Sequence, residues 1–271
     1  MNMNRRMLSH FLVFAAACIG MSEPRISAAT PGDALRSSGV RCERRSDYAI
    51  TREHERRLAT SLRRITGFGA LQFAADGELS VGDSSVAAGG SAEARRILMR
   101  AFSSSTIFVI EDRSGSGSVH FGQAASEQIY EPRDRTSSRV WRLRIDFDDF
   151  EQMEASSDVR AAFDEGFTFF HELLHGLGYK DPSGGRDLGE CEGIVNRMRG
   201  ELGLPLRDRY FGEAWRVTER LTSVRLRFRR PAPNGKSAGQ ELQYLCYLLT
   251  EPAQFSSDTR ALTRVDKKPR R

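Results

Sequence analysis

Residues 163 to 177 read Phe163-Asp-Glu-Gly-Phe-Thr-Phe-Phe-His-Glu-Leu-Leu-His-Gly-Leu177, and this stretch decides the fold of the chain. Its apolar side chains recur at intervals of three and four, which is the spacing of a helix that buries one face. We therefore predict one long helix from Asp158 to Leu177 that ends before Gly178. The apolar stripe consists of Phe163, Phe167, Phe170, Leu174 and Leu177.

Two histidines of this helix, His171 and His175, are about one turn apart and project from the same face. At that separation two imidazoles can share one metal ion, and imidazole is a common zinc ligand. Glu172 lies about 100° around the helix, so its carboxylate can reach water beside the metal rather than the metal itself. Zinc acidifies water and polarises a carbonyl, while a glutamate accepts the proton. The pattern predicts metal-assisted hydrolysis with Zn²⁺ as the cofactor.

The third protein ligand is predicted to be a carboxylate, because no histidine follows His175 in the sequence. Asp181 comes soon after the helix, and Glu190 and Glu192 come at the start of a second predicted helix, from Glu190 to Leu202. The residues alone leave the choice among these three carboxylates open.

The run His171-Glu-Leu-Leu-His-Gly-Leu-Gly-Tyr-Lys-Asp181 resembles the extended zinc motif of the metzincin peptidases. It is similar to the aspartate variant of that motif in snapalysin-like secreted bacterial proteases, over eleven residues. The resemblance implies an α+β, zincin-like fold, hydrolysis of protein or peptide substrates, and Asp181 as the third zinc ligand. Gly178 suits this assignment, because a positive φ there would end the helix and turn Asp181 back toward the metal.

A second resemblance implies a different third ligand. Gluzincin peptidases take theirs from a glutamate on the helix that follows the zinc helix, and Glu192, or else Glu190, matches that position. The stretch Asn196-Arg-Met-Arg-Gly-Glu-Leu-Gly-Leu-Pro205 also resembles the segment after the zinc helix in bacterial effector and toxin metallopeptidases. Asp181 is our first candidate, and Glu192 remains the alternative.

The rest of the chain predicts a mixture of helices and strands, and hence the α+β class. The strand from Val140 to Phe147 alternates charged and apolar residues, and it stands just before the zinc helix, where zincins keep a sheet edge that binds substrate. Other predicted elements are helices over Thr51 to Ile65 and Ala92 to Phe102, a hairpin of Leu71 to Ala75 with Leu79 to Val81, a buried strand over Thr106 to Ile110, and two C-terminal strands, Leu221 to Phe228 and Glu241 to Leu248, joined by a turn from Pro231 to Gly235.

The beginning of the chain has the pattern of a signal peptide. Arg5 and Arg6 precede an apolar run and then small residues up to Ala29, so we predict a leader over residues 1–29 and a periplasmic or secreted protein. The apolar run is shorter than the roughly 20 residues that span a bilayer, so integral membrane association is not expected. We further predict a flexible arm over residues 30–45, a single metallopeptidase-like domain over 46–255 and a basic tail over 256–271.

The charge and cysteine content restrict the partners. The formal net charge of +5 comes from cations scattered among acids, which does not predict nucleic-acid binding. Cys42, Cys191 and Cys246 follow the predicted leader and permit one disulfide. Two alternative functions remain, a secreted binding protein with a structural or degenerate zinc site and a toxin-like effector protease with one target. The sequence does not predict the oligomeric state.

Overall fold

The computed structural model describes residues 39–82, 87–131, 136–183, 187–218, 221–230 and 242–250, which form an α+β fold. The first elements in chain order are β1 (Gly39–Cys42), α1 (Arg52–Thr66), β2 (Gln72–Phe73), β3 (Leu79–Ser80), α2 (Ala92–Phe102), β4 (Ile107–Asp112), β5 (Gly122–Glu131) and β6 (Thr136–Ile145). The remaining elements are α3 (Phe147–Gln152), β7 (Glu154–Ala155), α4 (Ser157–Ala162), α5 (Glu165–Gly176), α6 (Gly189–Glu201), β8 (Leu206–Arg207), β9 (Glu213–Thr218), β10 (Leu221–Arg229) and β11 (Leu242–Thr250).

Two sheets frame the helices. The first has the strand order β1-β4-β6-β5, in which β1, β4 and β6 are parallel and β5 runs antiparallel to β6 at the edge. The second is antiparallel, with β10 paired to β8, β9 and β11, and β11 paired to β7. Helix α5 packs between α1, α6 and strands β5 and β6. The helix that carries both histidines therefore packs directly against the first sheet.

Most of the predicted elements are confirmed. The Thr51 side chain caps the first predicted helix by accepting a hydrogen bond from the His54 N–H, and Gly67 ends that helix in the left-handed region at φ 78°. The helix from Ala92 to Phe102 and the antiparallel C-terminal pair β10 and β11 also form as predicted. Each of these segments has a strong local signal in its own sequence: a capping residue, a clear apolar period or a turn.

The predicted flexible arm over residues 30–45 is wrong for the part that the structure describes. Strand β1 pairs in parallel with β4, and its side chains Val40 and Cys42 are buried. A four-residue strand has too few alternating positions to be recognised from sequence, and its partner lies about 70 residues further along the chain. The long-range pairing decides its structure.

The single long helix predicted from Asp158 to Leu177 is also wrong, because it divides into α4 and α5 between Ala162 and Glu165. The Asp164 side chain caps α5 by accepting hydrogen bonds from the N–H groups of Gly166 and Phe167. The same carboxylate contacts Ser61 and Arg64 on α1. An aspartate competes for backbone N–H groups in this way, so an apparently continuous period becomes two helices.

The strand predicted from Val140 to Phe147 forms as β6, but it is not the sheet edge beside the zinc helix. Strand β5 pairs along its whole length with β6 and takes the edge position. The β5 sequence is Gly122-Gln-Ala-Ala-Ser-Glu-Gln-Ile-Tyr-Glu131, in which small and polar residues give no recognisable apolar alternation. The edge strand therefore escapes prediction from sequence.

Helix α5 approaches the first sheet most closely at Gly176. A Cβ atom at this position would lie 2.4 Å from the Phe108 ring and 3.1 Å from the Trp141 ring, and Phe108 is fully buried. Close packing leaves no room for an extra methyl group there. The helix thus depends on a glycine next to its second histidine.

We expect Gly176→Ala to lower the free energy of unfolding by about 1–3 kcal/mol, because the added methyl group overpacks a rigid aromatic contact. The control is Gly193→Ala on α6, where an added Cβ would meet nothing within 4 Å. That substitution should raise stability by up to about 1 kcal/mol through helix propensity. Urea unfolding of both variants in the presence of a chelator measures the difference. Equal stability of the two variants would contradict this packing.

Several predictions fall on residues outside the described ranges, namely the leader over 1–29, the basic tail over 256–271 and the turn from Pro231 to Gly235. Within the described ranges, no helix has the length and apolar character needed to cross a membrane. Cys42, Cys191 and Cys246 are all free thiols, so the disulfide that the sequence permits does not form among them.

Candidate metal centre

The two histidines of α5 point into one buried cavity. The ring centroids of His171 and His175 are 5.2 Å apart, and both side chains are largely buried. Their Nε2 atoms lie on the same side, each 3.2 Å from a carboxylate oxygen of Asp181. The two Nε2 atoms and the Asp181 carboxylate therefore converge on one point, and the Cys191 sulfur belongs to the same group of four possible metal ligands.

Asp181 reaches the histidines because the chain reverses after α5. Gly178 has a φ of 95°, as predicted, and the Tyr179 N–H returns to the Leu174 carbonyl. Paired hydrogen bonds between Lys180 and Glu190 then fix the loop to the start of α6. Local backbone geometry thus brings Asp181 beneath the helix.

Within the described residues, a hydrogen bond reaches one of the two oxygens of the Asp181 carboxylate. Its Oδ2 atom accepts a hydrogen bond from the Tyr210 hydroxyl at 2.5 Å. Its Oδ1 atom is buried and lies 3.2 Å from His171 Nε2, but it accepts no hydrogen bond within the part of the chain that the structure describes. A buried carboxylate oxygen without a partner is costly, and a cation between the three side chains would satisfy it. The donor set of two imidazoles and one carboxylate fits zinc.

The other candidate carboxylates lie elsewhere. Glu192 contacts the opposite nitrogen of the first histidine, with 3.2 Å between its Oε2 atom and His171 Nδ1. Glu190 accepts a hydrogen bond from the Lys180 N–H and contacts neither histidine. The structure therefore brings Asp181 together with both Nε2 atoms, and it places Glu192 behind one imidazole ring.

The second histidine has different neighbours on its Nδ1 atom. The Tyr179 carbonyl oxygen lies 3.3 Å from His175 Nδ1, and the Cys191 sulfur lies 3.6 Å from it. Cys191 is fully buried, and burial is the main reason that the pKa of its thiol is raised. This thiol was absent from the predicted site, because no spacing in the sequence relates it to the histidines.

Glu172 is buried on the side of α5 that faces strand β5. Its carboxylate accepts a hydrogen bond from the Ala124 backbone, and a Cβ atom at Gly122 would lie 2.9 Å from its Oε1 atom. Burial, the largest effect, raises the pKa of Glu172, although the nearby His171 and His175 oppose it. A carboxylate with a raised pKa accepts a proton more readily than an exposed glutamate does.

The carboxylates and histidines of the cavity shift one another's pKa values. Burial alone would lower the pKa of His171, but contacts with Asp181 and Glu192 outweigh it and raise the pKa to about 10. Burial would raise the pKa of Asp181, yet the two histidines hold it well below its usual range. The carboxylates around His171 thus favour a positive charge at its ring, which either a proton or a bound metal ion can supply.

Tyr210 contacts both His171 and Asp181. Its ring stacks on His171 with 5.9 Å between centroids, and its hydroxyl binds Asp181. Tyr179 instead receives a hydrogen bond from Arg100 through its hydroxyl group. No spacing in the sequence relates Tyr210 to the histidines, and only the tertiary fold brings it to the helix.

Comparison with known proteins gives no match, whether to a protein-family model, a curated protein or a solved structure. A function for this chain must therefore be inferred from the chemistry of its own site.

Proposed function

We propose that the chain is a zinc-dependent peptidase in which His171, His175 and Asp181 hold the metal and Glu172 is the general base. The observation that carries the proposal is the convergence of both Nε2 atoms on the two oxygens of one carboxylate, each at 3.2 Å. When bound, zinc supplies Lewis acidity, which polarises a scissile carbonyl and makes water a stronger acid. A second observation that supports a cation here is that the buried Oδ1 atom of Asp181 accepts no hydrogen bond from the described residues.

Glu172 has the burial and position that the proton transfers require. Its carboxylate lines the cavity beside the histidines and is one residue from His171 on the same helix. In the proposed reaction it takes a proton from the attacking water and then gives that proton to the departing amine. The raised pKa of Glu172 suits the second step, since it favours the protonated carboxyl group.

The surroundings of the cavity support a peptide as the substrate. Strand β5 is the edge of the first sheet, and its first residues, Gly122 and Gln123, line the cavity. An extended peptide can pair with an exposed strand edge through its main chain, which places one peptide bond beside the metal. Aromatic and apolar side chains that also line the cavity offer contacts for a substrate side chain: Phe163, Phe167, Leu226 and Tyr247.

The proposal is tested by incubating the purified chain with equimolar zinc and a proteome-derived peptide library, and identifying new termini by mass spectrometry. We expect zinc-dependent cleavage that stops when a chelator is added. Stoichiometric zinc binding with no cleavage of peptides or folded proteins would overturn the peptidase proposal and favour a binding protein. Cleavage restricted to one folded target would identify an effector-type protease.

A further inference from the structure

Glu192 lies behind the first histidine and is almost completely enclosed, with an exposed fraction of 1%. Its Oε2 atom faces His171 Nδ1 at 3.2 Å, while its Oε1 atom accepts a hydrogen bond from the Arg199 guanidinium. Arg207 approaches the same Oε2 atom at 3.5 Å. Both oxygens of this carboxylate are therefore engaged, Oε1 by Arg199 and Oε2 by the His171 imidazole and Arg207.

Arg199 is itself fixed in place on every side. It is 1% exposed, donates hydrogen bonds to the Ala162 carbonyl at 2.6 Å and to Asn196 Oδ1 at 2.8 Å, and stands over the rings of Phe167 and Phe228. Desolvating a buried ion pair costs free energy that its attraction often fails to recover. Stability alone is thus a weak reason for this pair, and its geometry aims the carboxylate at His171.

We infer that Glu192 is a positioning residue that accepts the Nδ1–H of His171 and so keeps the Nε2 lone pair directed at the metal. The inference rests on the proposed zinc site and adds to it a residue that is not a ligand. A neutral imidazole carries its proton on one nitrogen only, so an acceptor at Nδ1 decides which nitrogen can bind zinc. A carboxylate in this position also orients the ring and makes the ligand nitrogen more basic.

The carboxylate that acts on His171 differs from the acceptor that faces the second histidine. His175 Nδ1 faces the neutral backbone carbonyl of Tyr179. Hydrogen bonds to ionised acceptors are stronger than those between neutral groups. We therefore expect the loss of the Glu192 contact to weaken zinc binding through His171.

The first test variant is Glu192→Gln, which retains the shape but has only one acceptor oxygen. The buried Arg199 should keep that oxygen, so the amide NH₂ group would face His171 Nδ1 and two donors would oppose each other. The second variant is Glu192→Asp, which keeps the charge but is one methylene shorter and cannot contact both partners. The matched control is Glu201→Gln, on the same helix, where the carboxylate bonds the Glu93 N–H.

Zinc affinity is measured by competition with a chromophoric chelator, and the His171 Nδ1–H proton is followed by NMR of the zinc-loaded protein. We expect both Glu192 variants to bind zinc about 10–100-fold more weakly and to lose the slowly exchanging Nδ1–H signal. The control should match the parent in both respects. If Glu192→Gln does not fold, Glu192→Asp decides the test, because its retained negative charge still balances Arg199.

The outcomes separate this inference from the proposed function. Parental zinc affinity and an unchanged Nδ1–H signal in both variants would overturn the positioning role and leave the zinc site intact. If Glu192→Asp alone keeps the parental zinc affinity, only the charge of Glu192 matters, and the positioning role is also overturned. A parent that binds zinc but cleaves no peptide would remove the peptidase activity without affecting the inference, and a parent that binds no zinc would remove both.

Discussion

Glu172→Gln is expected to lower peptide turnover by about 10²–10⁴-fold, the contribution typical of a general base, while zinc remains bound. Glutamine occupies nearly the same volume between α5 and β5, but its amide cannot accept the proton of the attacking water. The metal ligands are unchanged, so zinc content should stay at the parental value. Turnover per bound zinc, measured on a cleaved library peptide, reports the loss.

The control for this variant is Glu165→Gln, which removes another carboxylate from the same helix. Glu165 is the first residue of α5, away from the histidines, and it accepts a hydrogen bond from Arg57 of α1. Its loss should reduce stability and leave turnover per folded molecule close to that of the parent. Near-parental turnover in Glu172→Gln would show that another group takes the proton and would contradict the role assigned to Glu172.

His175→Ala is expected to reduce zinc content from one ion per chain to almost none. This variant removes one of three converging ligand atoms, and a site left with one histidine and one carboxylate has too few protein ligands to retain zinc during gel filtration. Asp181→Ala should have a similar effect, because it removes the carboxylate that faces both Nε2 atoms. Elemental analysis of the purified chains measures the metal content.

The histidine control is His54→Ala. His54 lies on α1, bonded to Asp112 and stacked on Phe147, so it belongs to no part of the proposed zinc site. We expect one zinc per chain in this variant. Retention of zinc by Asp181→Ala, together with its loss from Glu192→Ala, would instead make Glu192 the third ligand, as the gluzincin resemblance implies.

Local signals in the sequence were sufficient for elements whose stability is set nearby. The apolar spacing over Thr51 to Ile65, the helical pattern of Ala92 to Phe102 and the alternation of the two C-terminal strands each predicted the observed element. The helix break at Asp164 and the edge position of β5 were missed. Both depend on contacts with distant segments, namely α1 for the aspartate and β6 for the strand.

The sequence by itself determined the α+β class and the grouping of His171, Glu172 and His175, because residues within two turns of one helix have their relative positions set by helix geometry. Only the tertiary structure decided which side of the His171 ring Asp181 and Glu192 each face. The reversal at Gly178 brings the aspartate to the Nε2 atoms, whereas the packing of α6 against α5 brings the glutamate to the opposite side of the His171 ring. Spacing along a chain cannot specify which side of a ring a distant carboxylate meets, since that depends on how separate elements pack.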